Sequence, residues 1–286
     1  MWQVKLPDVG DVNAQLGAAL IHKDGTVVYA LSQIERDAIT ALYNAYDAHL
    51  GEPHPSLIPA VLDGCKNALH TAYNEVQKRG RLKKLRGTLL AAVLECPLCG
   101  FEAATTLDHY LPHDDYRALS IYSRNLVPTC QPCNRAKGTL QPVAGKGLIH
   151  TYFQAIPDVT FLVGTTEYAA GSLVVKFSVD ATPLPAPLGG RLAFQFDRLN
   201  LNDRYADPIN TFLFSLKPSL LYFRGKPGEA ELIKEFLLLS AETYDGDFKR
   251  NHWRAALMRA LAASDAFLAD PWSYFDKPLE EHKKAV

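Results

Sequence analysis

Apolar residues recur every four positions from Ile34 through Ala38 and Leu42 to Tyr46, the spacing of one helix face. Ser32 precedes this run and Glu35 follows three positions later, the arrangement of a capping box. Gly51 is placed to close the helix. The spacing predicts a second helix over 56–79, with Ile58, Val61, Leu62, Cys65, Leu69, Tyr73 and Val76 on one face. Cys65 falls in that stripe and is expected to be a small buried side chain. A third helix over 82–94 gathers Leu82, Leu85, Leu89 and Val93. The pattern then changes. Residues 95–147 are rich in Cys, His, Asp, Asn and Pro and only weakly periodic, the composition of a small module organised by metal. Beyond it, Leu173, Val175, Phe177 and Val179 alternate with other residues, as do Leu192, Phe194 and Phe196. This alternation predicts two strands, joined through the Pro/Gly-rich loop 181–190. Trp253, Ala256, Leu257, Ala260, Leu261 and Phe267 trace a last helical face.

These elements predict an α+β chain with a helical N-terminal region (1–94), a metal-organised module (95–147) and a C-terminal α+β region (148–286), in which strands precede helices. No internal repeat is visible. With 286 residues, 48% of them apolar and 21% charged, the chain is not of the disordered class. Its net charge of -1 excludes a globally basic nucleic-acid packer. No apolar run approaches the ~18 residues that mark a membrane span. The start, MWQVKLPDVGDV, lacks a basic segment followed by an apolar one, so no signal peptide and a cytoplasmic location are expected. The charge is unevenly spread: net -5 over 1–75, +6 over 76–146 and -2 over 147–286. Lys78, Arg79, Arg81, Lys83, Lys84 and Arg86 crowd ahead of the module, where they suit contact with a DNA backbone.

The module holds Cys96-Pro-Leu-Cys99 and Cys130-Gln-Pro-Cys133. Each pair can place two thiolates on one ion, and four thiolates complete a closed tetrahedral zinc site. Such a site is structural, replacing a core that so short a segment cannot build. A disulfide or two unrelated reactive pairs are the other readings of the same cysteines. Thirty residues separate the pairs, more than a zinc ribbon needs. Inserted there are Asp108-His109-Tyr110-Leu111-Pro112 and Asn125-Leu126-Val127-Pro128, and Asn134-Arg135-Ala136-Lys137-Gly138 follows the last cysteine.

Across about residues 96–138 these motifs, in this order, resemble the HNH endonuclease family and its ββα-metal unit. The resemblance implies a metal-dependent phosphodiester hydrolase acting on DNA. His109 would be the general base, and Asp108 and Asn134 would hold a catalytic Mg²⁺ or Mn²⁺. Asn125 would position the loop carrying the base. Arg135 and Lys137 would contact phosphate, as would Lys83, Lys84 and Arg86. His113, Asp114 and Asp115 stand where related sequences often carry Lys and Ser, and are expected to be exposed loop residues. His150 and Tyr152 are expected to pack or cap. Taken singly, each motif residue also has an ordinary explanation as a turn, a helix end or a solvated side chain. A non-catalytic zinc ribbon that binds nucleic acid or protein is therefore the alternative. The flanking helices are similar to stand-alone bacterial HNH proteins of defence islands, among them the nuclease subunit of Septu-type anti-phage systems. That likeness implies an ATPase partner.

Overall fold

The computed structural model describes residues 1–282 apart from 23, 144, 145, 170 and 171. The chain is α+β and divides after residue 156 into two compact units.

In the first unit, α1 (Val12–Leu20) is capped by Asp11, whose carboxylate accepts from the amides of Asn13 and Ala14. Helix α2 (Gln33–Ala48) begins with the expected box: Ser32 Oγ accepts from the Glu35 amide, and the Glu35 carboxylate accepts from the Ser32 amide. Its buried face is Ile39, Leu42, Tyr43 and Tyr46. Ile34 is 70% exposed, so the apolar stripe starts one turn later than the four-residue spacing suggests. Gly51 (φ +76°) turns the chain after the helix, and a Cβ there would come within 2.3 Å of the His150 ring.

The helix expected over 56–79 is instead broken into pieces. Single 3₁₀ turns at Pro55–Leu57 and Ala60–Leu62 precede α3 (Lys66–Thr71), and another 3₁₀ turn covers Ala72–Val76. Pro59 disfavours helical backbone at Ile58, which adopts φ -130°, ψ 64°. Leu62, Cys65, Leu69 and Val76 are buried as expected, while Ile58 and Val61 are exposed. Helix α4 (Lys83–Ala91) buries Leu85 and Leu89 and stops short of the exposed Leu94. Strands β1 (Thr106–His109) and β2 (Leu126–Thr129) pair antiparallel, with Thr106 opposite Thr129 and His109 opposite Leu126. Helix α5 (Gln131–Lys137) follows directly, with Cys130 at its N-cap and Gly138 past its end.

The second unit opens with a hairpin of β3 (Leu162–Ala169) and β4 (Ser172–Val179). The second expected strand, through Leu192, Phe194 and Phe196, is part of helix α6 (Ala186–Arg198). Leu188, Leu192 and Phe196 recur every four residues and all are buried, so helical spacing prevails over the short alternation. Pro187 is tolerated because it lies in the first turn. Helices α7 (Leu201–Leu221) and α8 (Glu229–Phe248) follow, then α9 (Trp253–Ala262) and α10 (Asp265–Ala269). The expected C-terminal face thus spans two helices, with Phe267 in the second, where Ser264 caps it. Tyr205 stacks on Trp253 in this core, with ring centroids 6.0 Å apart. Among the described residues no helix is long and apolar enough to cross a membrane.

Candidate active site

The turn between α4 and β1 and the start of α5 bring four sulfurs together. The Sγ atoms of Cys96, Cys99, Cys130 and Cys133 all lie within 4.8 Å of one another, and all four side chains are buried. Cys99 and Cys130 are 3.8 Å apart, far beyond the ~2.05 Å of a disulfide. Tetrahedral zinc with ~2.3 Å bonds to sulfur sets its ligands about 3.8 Å apart. Cys130 Sγ also accepts from the Cys133 amide, the turn geometry of a knuckle. Hydrogen bonds from Cys133 and Cys96 hold the Cys130 thiol down to about 7. Burial pushes the Cys96 thiol up, and hydrogen bonding within the cluster pushes Cys133 up. Four buried thiolates cannot coexist uncompensated, so both spacing and charge suit a divalent ion. The buried four-cysteine group can therefore hold a structural zinc.

Strand β1 ends in Asp108 and His109, and both line an open cavity of about 310 Å³ with Asn134, Tyr73, His113 and Asp114. His109 is buried, and its Nε2 lies 2.8 Å from the Ser120 carbonyl oxygen. A carbonyl only accepts, so the ring proton belongs on Nε2 and Nδ1 keeps its lone pair. Burial pushes the imidazole down to about 3, against the opposing pull of the Ser120 carbonyl, so the ring is neutral at pH 7. Tyr73 meets it edge-on at 4.3 Å, and the Tyr73 hydroxyl donates to the Leu107 carbonyl.

Asp108 is also buried, and burial raises its carboxyl to about 6 despite the Lys137 ammonium 3.5 Å away. Lys137 is only 3% exposed and donates to the His109 carbonyl at 2.6 Å. Asn134, one helical turn earlier on α5, donates from Nδ2 to Thr106 Oγ1 at 3.2 Å.

Asn125 sits just before β2 and is fully buried. Its Oδ1 accepts from the Leu111 amide at 2.8 Å and the Tyr46 hydroxyl at 3.0 Å. Its Nδ2 donates to the Leu111 carbonyl at 3.1 Å. The segment after His109 is thereby clamped on both polar groups of one residue. Tyr46 also hydrogen-bonds His150 Nε2 at 3.0 Å, and Tyr152 donates to the Leu126 carbonyl. The last two residues are buried within the same support.

The basic residues divide. Lys83, Lys84 and Arg135 are exposed. Arg86 is buried and donates to the Thr105 carbonyl at 2.7 Å, bracing the start of β1. Lys137, likewise buried, faces Asp108. His113, Asp114 and Asp115 do lie in a loop, but the first two line the cavity with His109. Tyr46 and Tyr73 carry only the signal of an apolar stripe in the sequence, and His70 and Ser120 carry none. A tyrosine within a helical stripe gives no sign of a polar partner so distant in the chain. No protein-family profile, curated protein or solved structure matches this chain.

Proposed function

We propose that this chain is an HNH-type, metal-dependent endonuclease that hydrolyses DNA phosphodiester bonds. One observation carries the reading: Asp108, His109 and Asn134 share a cavity on a β-hairpin and helix, with His109 kept neutral by burial and its Nε2 bonded to the Ser120 carbonyl. The buried four-cysteine cluster beside it supplies a frame that a short segment needs. His109 Nδ1 accepts a proton from water, and the water oxygen bonds to phosphorus. The bond from phosphorus to the 3′ oxygen breaks, and that oxygen leaves with the electron pair and gains a proton from solvent. A 5′ phosphate and a 3′ hydroxyl result. Negative phosphate near the ring raises the proton affinity of an imidazole that burial, with Lys137 and the neighbouring histidines, holds low. Asp108 and Asn134 offer a carboxylate and an amide oxygen, a hard donor set that fits Mg²⁺ or Mn²⁺. When bound, such an ion stabilises charge on the phosphate and the departing oxygen.

Lys83, Lys84 and Arg135 are the exposed cations offered to the DNA backbone. Arg86 and Lys137 serve instead to hold β1 and to balance Asp108. The wider setting that fits the flanking resemblance is anti-phage defence in the bacterial cytoplasm, beside an ATPase partner. Lys137 favours the second reading, a non-catalytic zinc ribbon, because it already balances the Asp108 charge that a cation would need. Supercoiled plasmid with Mg²⁺ or Mn²⁺ separates the two. The nuclease reading expects nicked circles, made faster by the ATPase. No cleavage with any divalent ion, with or without the partner, leaves the ribbon. Robust cutting that the partner does not alter argues against the defence setting.

A further inference from the structure

Three side chains that the proposed hydrolysis does not use converge at the rim of the cavity, two of them, His113 and Asp114, in its lining. His70 comes from α3, and His113 and Asp114 from the loop after β1. His70 Nε2 lies 2.7 Å from His113 Nδ1 and 3.1 Å from Asp114 Oδ1. His113 Nδ1 and Asp114 Oδ1 are 3.9 Å apart. These spacings bracket the ~3.3 Å between ligands of a tetrahedral ion with bonds of about 2.05 Å to nitrogen or oxygen. A proton on His70 Nε2 must serve two acceptors, and one on His113 Nδ1 leaves Asp114 Oδ1 facing a lone pair, whereas an ion at their centre satisfies all three atoms.

The arrangement is braced. Arg117 donates from Nε to the Asp114 carbonyl at 3.2 Å and from Nη1 to Asn67 Oδ1 at 2.6 Å, tying the loop to α3. The His113 ring stacks between those of His70 and His109, at centroid distances of 4.7 and 4.8 Å. All three ligands remain partly exposed, so an ion has a way in.

We propose that His70, His113 and Asp114 form a second metal site, selective for a divalent transition ion such as Zn²⁺. Two imidazoles are borderline donors, and beside a single carboxylate they favour Zn²⁺ over Mg²⁺. Three protein ligands leave one position for water or an anionic oxygen, unlike the closed cysteine cluster. The site is independent of the hydrolase reading, because it requires only these three side chains.

The test is equilibrium metal titration of the reduced full chain against a chromophoric chelator, without DNA. The wild type is expected to hold two zinc ions. His113→Ala and Asp114→Asn each keep the cysteine-bound ion and weaken the other by more than about 100-fold, since lost ligands cost more than lost outer partners. With Co²⁺, the thiolate charge-transfer bands persist in both variants while the weaker visible bands of the nitrogen–oxygen site disappear. Asp114→Asn is nearly isosteric and lies on the surface, and its unchanged melting curve in chelator confirms folding. Wild type that binds a single zinc, or variants that bind zinc as the wild type does, overturn the proposal. Because no DNA is present, neither result bears on whether the chain cleaves it.

Discussion

Asn125 shows how much one residue can hold. Its amide joins the Leu111 backbone to Tyr46 of α2, a partner 79 positions away in sequence. Asn125→Ala leaves the buried Leu111 amide without its acceptor, worth roughly 1–3 kcal/mol, and leaves the Tyr46 hydroxyl with His150 alone. A loss of about that size is expected by chemical denaturation, together with a fall in plasmid nicking. A variant as stable as wild type would mean that Asn125 is not the clamp. Some of this scale is legible in the sequence. Cys96, Cys99, Cys130 and Cys133 can be paired from spacing alone, because knuckle geometry is local. The burial of Arg86 and Lys137 is not legible, because their partners, Thr105 and Asp108, are brought near only by β1.

At the scale of elements, local signals succeed and long-range ones fail. Ser32 and Glu35 specify the start of α2 because both hydrogen bonds lie within four residues. The broken stretch before α4 escapes a periodicity argument because Pro55 and Pro59 interrupt helical backbone while the apolar spacing runs on through them. Helix α6 is mistaken for a strand because Gly189 and Gly190 hide its early turns. The Tyr29 hydroxyl, then the Ser32 amide and hydroxyl, hold the Glu35 carboxyl below its ordinary 4.5. A depressed carboxyl contributes stability above its unfolded value and loses it as pH falls through the folded one. Glu35→Gln is therefore expected to lower Tm at pH 7 and to flatten the decline in Tm below about 4.5. Parallel curves for the two proteins would remove the carboxylate from the account. The zinc frame is tested at the same scale. Cys130→Ser leaves three thiolates, so zinc content and Tm should both fall in that variant. Full zinc content at an unchanged Tm would contradict a structural metal.

At the scale of the molecule, near-zero net charge conceals a positive stretch over 76–146, which includes the hairpin and its cavity. Each phosphate contact adds about 0.9 to the log–log salt slope of binding. Replacing Lys83 and Lys84 by Ala should therefore lower that slope by roughly 2 with Tm unchanged. Arg86→Ala should instead act mainly on stability, since its guanidinium is spent on the Thr105 carbonyl. A slope indifferent to Lys83 and Lys84 would place the DNA elsewhere. Hydrolysis in which His109 takes the proton is tested by nicking of supercoiled plasmid by His109→Ala in Mg²⁺ or Mn²⁺. No nicking is expected from a variant that keeps its cysteine-bound zinc and its DNA affinity, while the wild type cuts. Nicking by His109→Ala at the wild-type rate would contradict it.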